Sequence, residues 1–146
     1  MVVIRVDVEV AASPAVVWAD VARIDSHVEW MVDAVAITFT STTTEGIGTT
    51  FDCATKIGPV RLTDRMEITE WIAEQVIGVH HEGLVRGEGR FTLTPVGADH
   101  TLFTWTETLT FPWWMGGRIG AAISRPILRA VWRRNLRELA ARFAHR

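Results

Sequence analysis

The sequence predicts an α+β fold: a seven-stranded, curved antiparallel sheet wrapped on one long C-terminal helix, with two short helices after the first strand. Three observations carry that expectation. The chain opens on a strict apolar/polar alternation, "VVIRVDVEV". From about residue 34 six further alternating runs follow one another across short connections, which makes neighbours antiparallel. Residues 118–144 then switch to helical spacing.

Taken in order, Val2, Ile4, Val6, Val8 and Val10 give the first strand its buried face. In "ASPAVVWADVARID", Ser13 suits a helix N-cap and Pro14 the first helical position, where a missing N–H costs nothing. A second short helix begins near Asp25. The six strands read as "AVAITFTSTT", "GTTFDCATKI", "PVRLTDRMEITEW", "EQVIGVHHEG", "RGEGRFTLTPV" and "HTLFTWTETLTF". In the last helix Ile119, Ile123, Ile127, Val131, Leu136, Leu139 and Phe143 are taken as one apolar stripe. Pro126 should kink or divide that helix.

With 146 residues, 48% hydrophobic and 22% charged, the chain is long enough for a core of its own and is expected to form one domain over 1–146. No stretch approaches the roughly 20 apolar residues of a membrane span. A lone Cys53 leaves no internal disulfide and fits a reducing compartment, so the expected location is cytoplasmic. Charge is unevenly placed: residues 1–117 carry seven Lys/Arg against sixteen Asp/Glu, whereas residues 118–146 carry eight Arg against Glu138 alone. The arginines interleave with core-type residues, which favours a basic helix lying across an acidic sheet over an acidic-lipid or nucleic-acid surface.

A sheet curved around one helix leaves a space between them, and the inward strand faces supply its chemistry. In the last strand Phe103, Trp105, Leu109 and Phe111 share a face with Glu107, a carboxylate among aromatics. In "PVRLTDRMEI" the apolar face of Leu62 and Met66 takes Asp64. Two such carboxylates either perform acid–base steps or serve as structural partners of buried groups. Phe51 and Cys53 line the neighbouring strand, and Phe91, Phe103, Trp105, Met66 and Trp30 are expected as wall. Ile123 and Ile127 would close the cavity from the helix. In "VHHEG" the two histidines face opposite ways; His80 is kept as a ligand hydrogen-bonder or proton shuttle, and His81 shares a face with Ile77 and Val79. His27, His100 and His145 complete no metal-ligand spacing, so neither a metal nor a cofactor is expected. Seven Trp and no Tyr point to flat apolar ligands. Trp113 and Trp114, before Gly116-Gly117, form a hinge or lip at the mouth; with Arg118 they would suit transient membrane contact.

The element order, "SPAVVWADVARIDSHVEW" near the start and "LTFP…GGRIG…RPILRAVWRRNLRELAARF" at the end, resemble the SRPBCC superfamily of START-domain-like, helix-grip proteins, the polyketide cyclase/dehydrase branch in particular. The resemblance implies a helix-grip fold and an internal cavity for a small apolar or aromatic molecule, lipid or polyketide-like. It also implies, as an alternative, a cofactor-independent cyclase/dehydrase; the Arg-rich helix itself leaves open a non-catalytic interaction or toxin-like protein. Some aromatase/cyclases of that family carry a Ser or Thr and an Arg two residues apart inside the pocket. Thr63 and Arg65 have that spacing, but the alternation of "VRLTDRM" turns them outward.

Overall fold

In the computed structural model, which describes residues 1–144, seven strands form one antiparallel sheet. They are β1 (Val2–Val10), β2 (Ala34–Phe39), β3 (Thr50–Ile57), β4 (Val60–Ile72), β5 (Val76–Glu82), β6 (Arg86–Val96) and β7 (His100–Thr110). The order across the sheet is β1-β7-β6-β5-β4-β3-β2. Strands β2 to β7 thus form a meander, and β1 adds to the far side of β7. The chain between β1 and β2 must therefore pass from one edge of the sheet to the other. It does so through helix α1 (Pro14–Val21) and a 3-10 helix (Ile24–Glu29). Ser13 Oγ accepts the N–H of Val16 at 3.4 Å, and Pro14 occupies the first turn as its fixed φ favours.

A second 3-10 turn, Trp113–Met115, leads through Gly116 (φ 89°) and Gly117 (φ 51°) into helix α2 (Gly117–Ala141). Both glycines take the left-handed region that a side chain would strain. Gly120 lets the Met115 carbonyl come so close that a Cβ there would collide with it. The corner is built from these three residues. Helix α2 is not divided at Pro126. Pro126 and Ala122, whose carbonyl lacks the proline's N–H, are both exposed, so water can satisfy the freed acceptor.

The single apolar stripe expected along α2 is not what the fold uses. Its second half packs inward through Trp132, Leu136, Leu139 and, just beyond, Phe143, whereas Ile119, Ile123 and Ile127 are exposed. Helical geometry explains the difference. At about 100° per residue, Ile119 and Leu139 lie roughly on opposite sides of the axis, so two separate stripes had been joined. His145 lies outside the described residues.

Candidate functional site

Between the concave face of the sheet, the 3-10 helix Ile24–Glu29 and α2 lies a cavity of about 430 Å³. Its lining is largely apolar: Phe51, Met66 and Ile77 from the strands, Trp132 and Leu128 from α2. His27, Asp33 and Arg90 reach the lining, and three further ionisable side chains meet there as one cluster.

Register decides which ones. On β7, Trp105, Glu107 and Leu109 alternate with Thr104, Thr106 and Thr108, and the first set lines the cavity. On β4, Asp64 pairs across with Cys53 of β3, and both face inward with Leu62 and Met66. On β5, His81 faces inward with Val79 and Ile77. His81 Nε2–H donates to Glu107 Oε2 at 3.0 Å, and Trp105 Nε1–H donates to Glu107 Oε1 at 3.0 Å. Both carboxylate oxygens of Glu107 are thus engaged in a site shielded from water. Burial alone would lower the His81 pKa, but the hydrogen bond and charge of Glu107, with Asp64 behind it, outweigh burial and raise it. Asp64 is raised by burial first and by the charge of Glu107, opposed by His81. Among the described residues its Oδ1 is buried without a hydrogen-bond partner. A buried, unpartnered carboxyl oxygen is costly, and a ligand group able to donate or accept would relieve it.

The sheet makes room for both carboxyls with glycine. Gly89 stands opposite Glu107 on β6, and a Cβ there would sit 2.5 Å from Glu107 Oε1. Gly83, just beyond β5, stands beside Asp64, and a Cβ there would overlap Asp64 Oδ1. Beside each carboxyl these glycines act as clearance.

Other polar groups are held in place. His27 Nε2–H donates to the Val21 carbonyl at 2.7 Å. Full burial lowers its pKa to about 4, against the raising effects of that bond and of Asp20 and Asp25, so the ring is neutral at pH 7. Asn135 on α2 accepts Val32 N–H at 2.9 Å and donates to Asp33 Oδ1 at 2.6 Å, tying the entry of β2 to the helix. Cys53, pushed up to about 12 by burial and then by Asp33 and Asp64, is an unreactive wall thiol.

Of the residues expected at the cavity, Phe51, Asp64, Met66, Phe91, Trp105, Glu107 and Ile127 line it. Trp30 and Phe103 do not. They form an aromatic layer beneath it with Phe91, Trp30 lying 5.9 Å from Phe91 and 6.3 Å from Phe103 between ring centroids. His80 is on the outer face, where it contacts Glu88 at 2.7 Å and Glu82 at 3.2 Å; the strand alternation that turns His81 inward turns His80 out. Ile123, Trp113 and Trp114 are exposed and off the lining. Ile123 leaves it because α2 turns Ser124, Ile127 and Leu128 to the cavity and Ile123 to the outside, and the tryptophans because they sit on the 3-10 turn that follows β7. Thr63 and Arg65 face outward, with Arg65 Nε 3.7 Å from Asp52.

Sequence reasoning passed over His81, His27 and Trp132. His81 was legible from its place on the Ile77/Val79 face. Trp132 was not, since its stacking on Trp105, at 5.0 Å and 26° between planes, joins residues far apart in sequence. Among the described residues, no group of three or more His, Cys, Asp or Glu side chains is arranged to hold a metal ion, and no helix is long and apolar enough to cross a membrane.

Solved structures share this architecture. A protein of Thermus thermophilus superposes with a TM-score of 0.78 at 17% identity, covering 99% of this chain and 98% of that one. The Zhui aromatase/cyclase from a Streptomyces species gives 0.71 at 17% identity over 99% and 94% of the two chains. A START superfamily protein from Mycobacterium smegmatis gives 0.74 at 15% identity over 98% and 97%. At such identities the likeness shows the fold, the helix-grip fold of the SRPBCC superfamily. No curated protein matches the chain by sequence. A family model does match it, over residues 1–146, and the chain belongs to that family, described as polyketide cyclase/dehydrase and lipid transport.

Proposed function

We propose that the protein binds a small apolar or aromatic molecule in the cavity, oriented by one polar end against Asp64, His81 and Glu107. The observation that carries this reading is a largely apolar cavity of about 430 Å³ into which Glu107, His81 and the half-buried Asp64, its Oδ1 unpartnered among the described residues, project together. The stacked Trp105 and Trp132 offer indole surface to a flat ligand. A hydroxyl or carbonyl at the polar end would find both a donor and an acceptor. The test is titration with a neutral fluorescent aromatic, 1-aminoanthracene, alongside mass spectrometry of the gently purified protein. Saturable binding, abolished when Leu62→Trp fills the cavity, is the expected result. No binding, or binding unchanged in the filled variant, refutes the reading.

A second reading, cyclase/dehydrase activity without a cofactor, is favoured by the same three groups. His81 and Asp64, both with raised pKa, can donate protons to a ligand carbonyl, and Glu107 stabilises the cationic ring. It requires turnover of a poly-β-ketone with a bell-shaped pH–rate profile, lost in His81→Gln while 1-aminoanthracene still binds. Binding without turnover returns the protein to the first reading.

A further inference from the structure

The end of the molecule at which the cavity opens is apolar on its outside as well. Strand registers bring four features to that end: the β3–β4 turn after Ile57, the β5–β6 turn after Glu82, the start of β6 opposite Thr110, and the corner that follows β7. Cavity-lining residues come from the same segments, Val60, Val85 and Met115 among them, and Ile127 joins them from α2. Around them stand large apolar side chains with no protein partner to cover them. Trp113 is 87% exposed, Ile119 72% and Ile123 68%; Trp114, Val60 and Leu84 are exposed too. Scattered exposed apolar residues are ordinary, but two adjacent tryptophans and a helical i, i+4 stripe converging on one cavity mouth are not.

Charge identifies what would cover this surface. Lys56 and Arg61 pair across the first turn, Arg86 opens β6, and Arg118 and Arg125 flank the exposed isoleucines; all are exposed, and none makes an ion pair among the described residues. The nearby carboxylates Glu82 and Glu88 are occupied with His80 on the outer face. Further along the helix Arg133, Arg134 and Arg137 are exposed as well. A second copy of the chain seated symmetrically on this patch would set one basic rim against another. An anionic bilayer matches both parts: indole and isoleucine enter the interface, and arginine meets the headgroups.

We propose that this end of the molecule docks on anionic membrane surfaces, with Trp113, Trp114, Ile119 and Ile123 inserted and Arg118 and Arg125 at headgroup level. The inference stands on the exposed surface and does not require the cavity to hold a ligand. It is tested by co-sedimentation with vesicles of phosphatidylcholine alone and of phosphatidylcholine containing about 30% phosphatidylglycerol, where the bound fraction should rise about tenfold with the anionic lipid and fall as salt is added. Trp113→Ser/Ile123→Ser and Arg118→Glu/Arg125→Glu should each reduce binding about tenfold or more. Both change only exposed side chains off the cavity wall, so unchanged circular dichroism and unchanged 1-aminoanthracene binding confirm an intact protein and keep this test separate from that of the cavity. Absence of vesicle binding at low salt overturns the proposal. So does binding that ignores both variants, or a stable dimer that Ile123→Ser dissociates.

Discussion

His27 provides a measurable link between the buried chemistry of the site and the stability of the fold. The ring is fully enclosed, donates to the Val21 carbonyl at 2.7 Å, and has a pKa lowered from 6.5 to about 4. The unfolded chain takes up the proton near pH 6.5 and the native protein only near pH 4, so between those values the unfolded state binds more protons. Stability must fall as pH drops through that window. A displacement of about 2.5 pKa units corresponds to about 3 kcal/mol at its full extent. His81 acts in the opposite sense and in a different window. Its raised pKa contributes stability that is present below about 6.5 and lost as pH rises through the folded value. The perturbation is His27→Gln, whose amide N–H can keep the bond to Val21 but does not titrate. The assay is urea unfolding of both proteins at several pH values from 4 to 7.5. The difference in unfolding free energy should shift by about 2–3 kcal/mol in favour of the variant on going from pH 7 to pH 4. Comparing the two proteins removes the contribution of Asp64, whose raised pKa acts against His27 at the acid end. A difference that stays flat with pH would refute the argument, because a buried neutral imidazole cannot leave acid stability untouched.

Two further outcomes follow from the Glu107 cluster. Glu107→Gln keeps an acceptor for the Trp105 indole but removes the charge; burial then dominates, and the His81 pKa, followed by NMR titration of its ring protons, should drop below its wild-type value. An unmoved pKa would mean that Glu107 does not set it. Gly89→Ala places a Cβ 2.5 Å from Glu107 Oε1, and should cost about 1–3 kcal/mol in denaturant unfolding and weaken 1-aminoanthracene binding by displacing the carboxylate. Wild-type stability and binding in that variant would show that the carboxylate moves aside freely.

The strands were legible because alternation reports directly which side of a sheet a residue faces. That was enough to bring Asp64 and Glu107 inward and to send Thr63 and Arg65 out. Alternation says nothing of depth, which depends on what packs above each residue. Phe103 and Trp105 share a face and both lie 6.3 Å from Trp30 between ring centroids, yet only Trp105 reaches the cavity. The same rule placed His80 and His81 on opposite faces; choosing between them needed the apolar company of Ile77 and Val79 to be weighed above the acidic neighbours of His80. The helix misled for another reason. Isoleucines at 119, 123 and 127 read as core by type, and only the position of α2 on the sheet leaves the first two outside and the third at the cavity's edge.

The pairing of β1 with β7 also constrains the order in which the protein can assemble. Val2 meets Leu109 and Val10 meets Thr101, contacts between the first strand of the chain and the last. The hairpins from β2 to β7 can zip locally as each strand leaves the ribosome, but β1 has no partner until β7 has emerged. Until then β7 is an open edge of apolar and threonine side chains, the kind of template on which strands from other molecules can add. α2, which packs along β1 and supplies Trp132 to the cavity wall, is synthesised later still. The site is therefore completed last, when α2 settles on a β1 that has already capped this sticky edge, so slow docking of β1 would delay the formation of the cavity and prolong exposure to aggregation together.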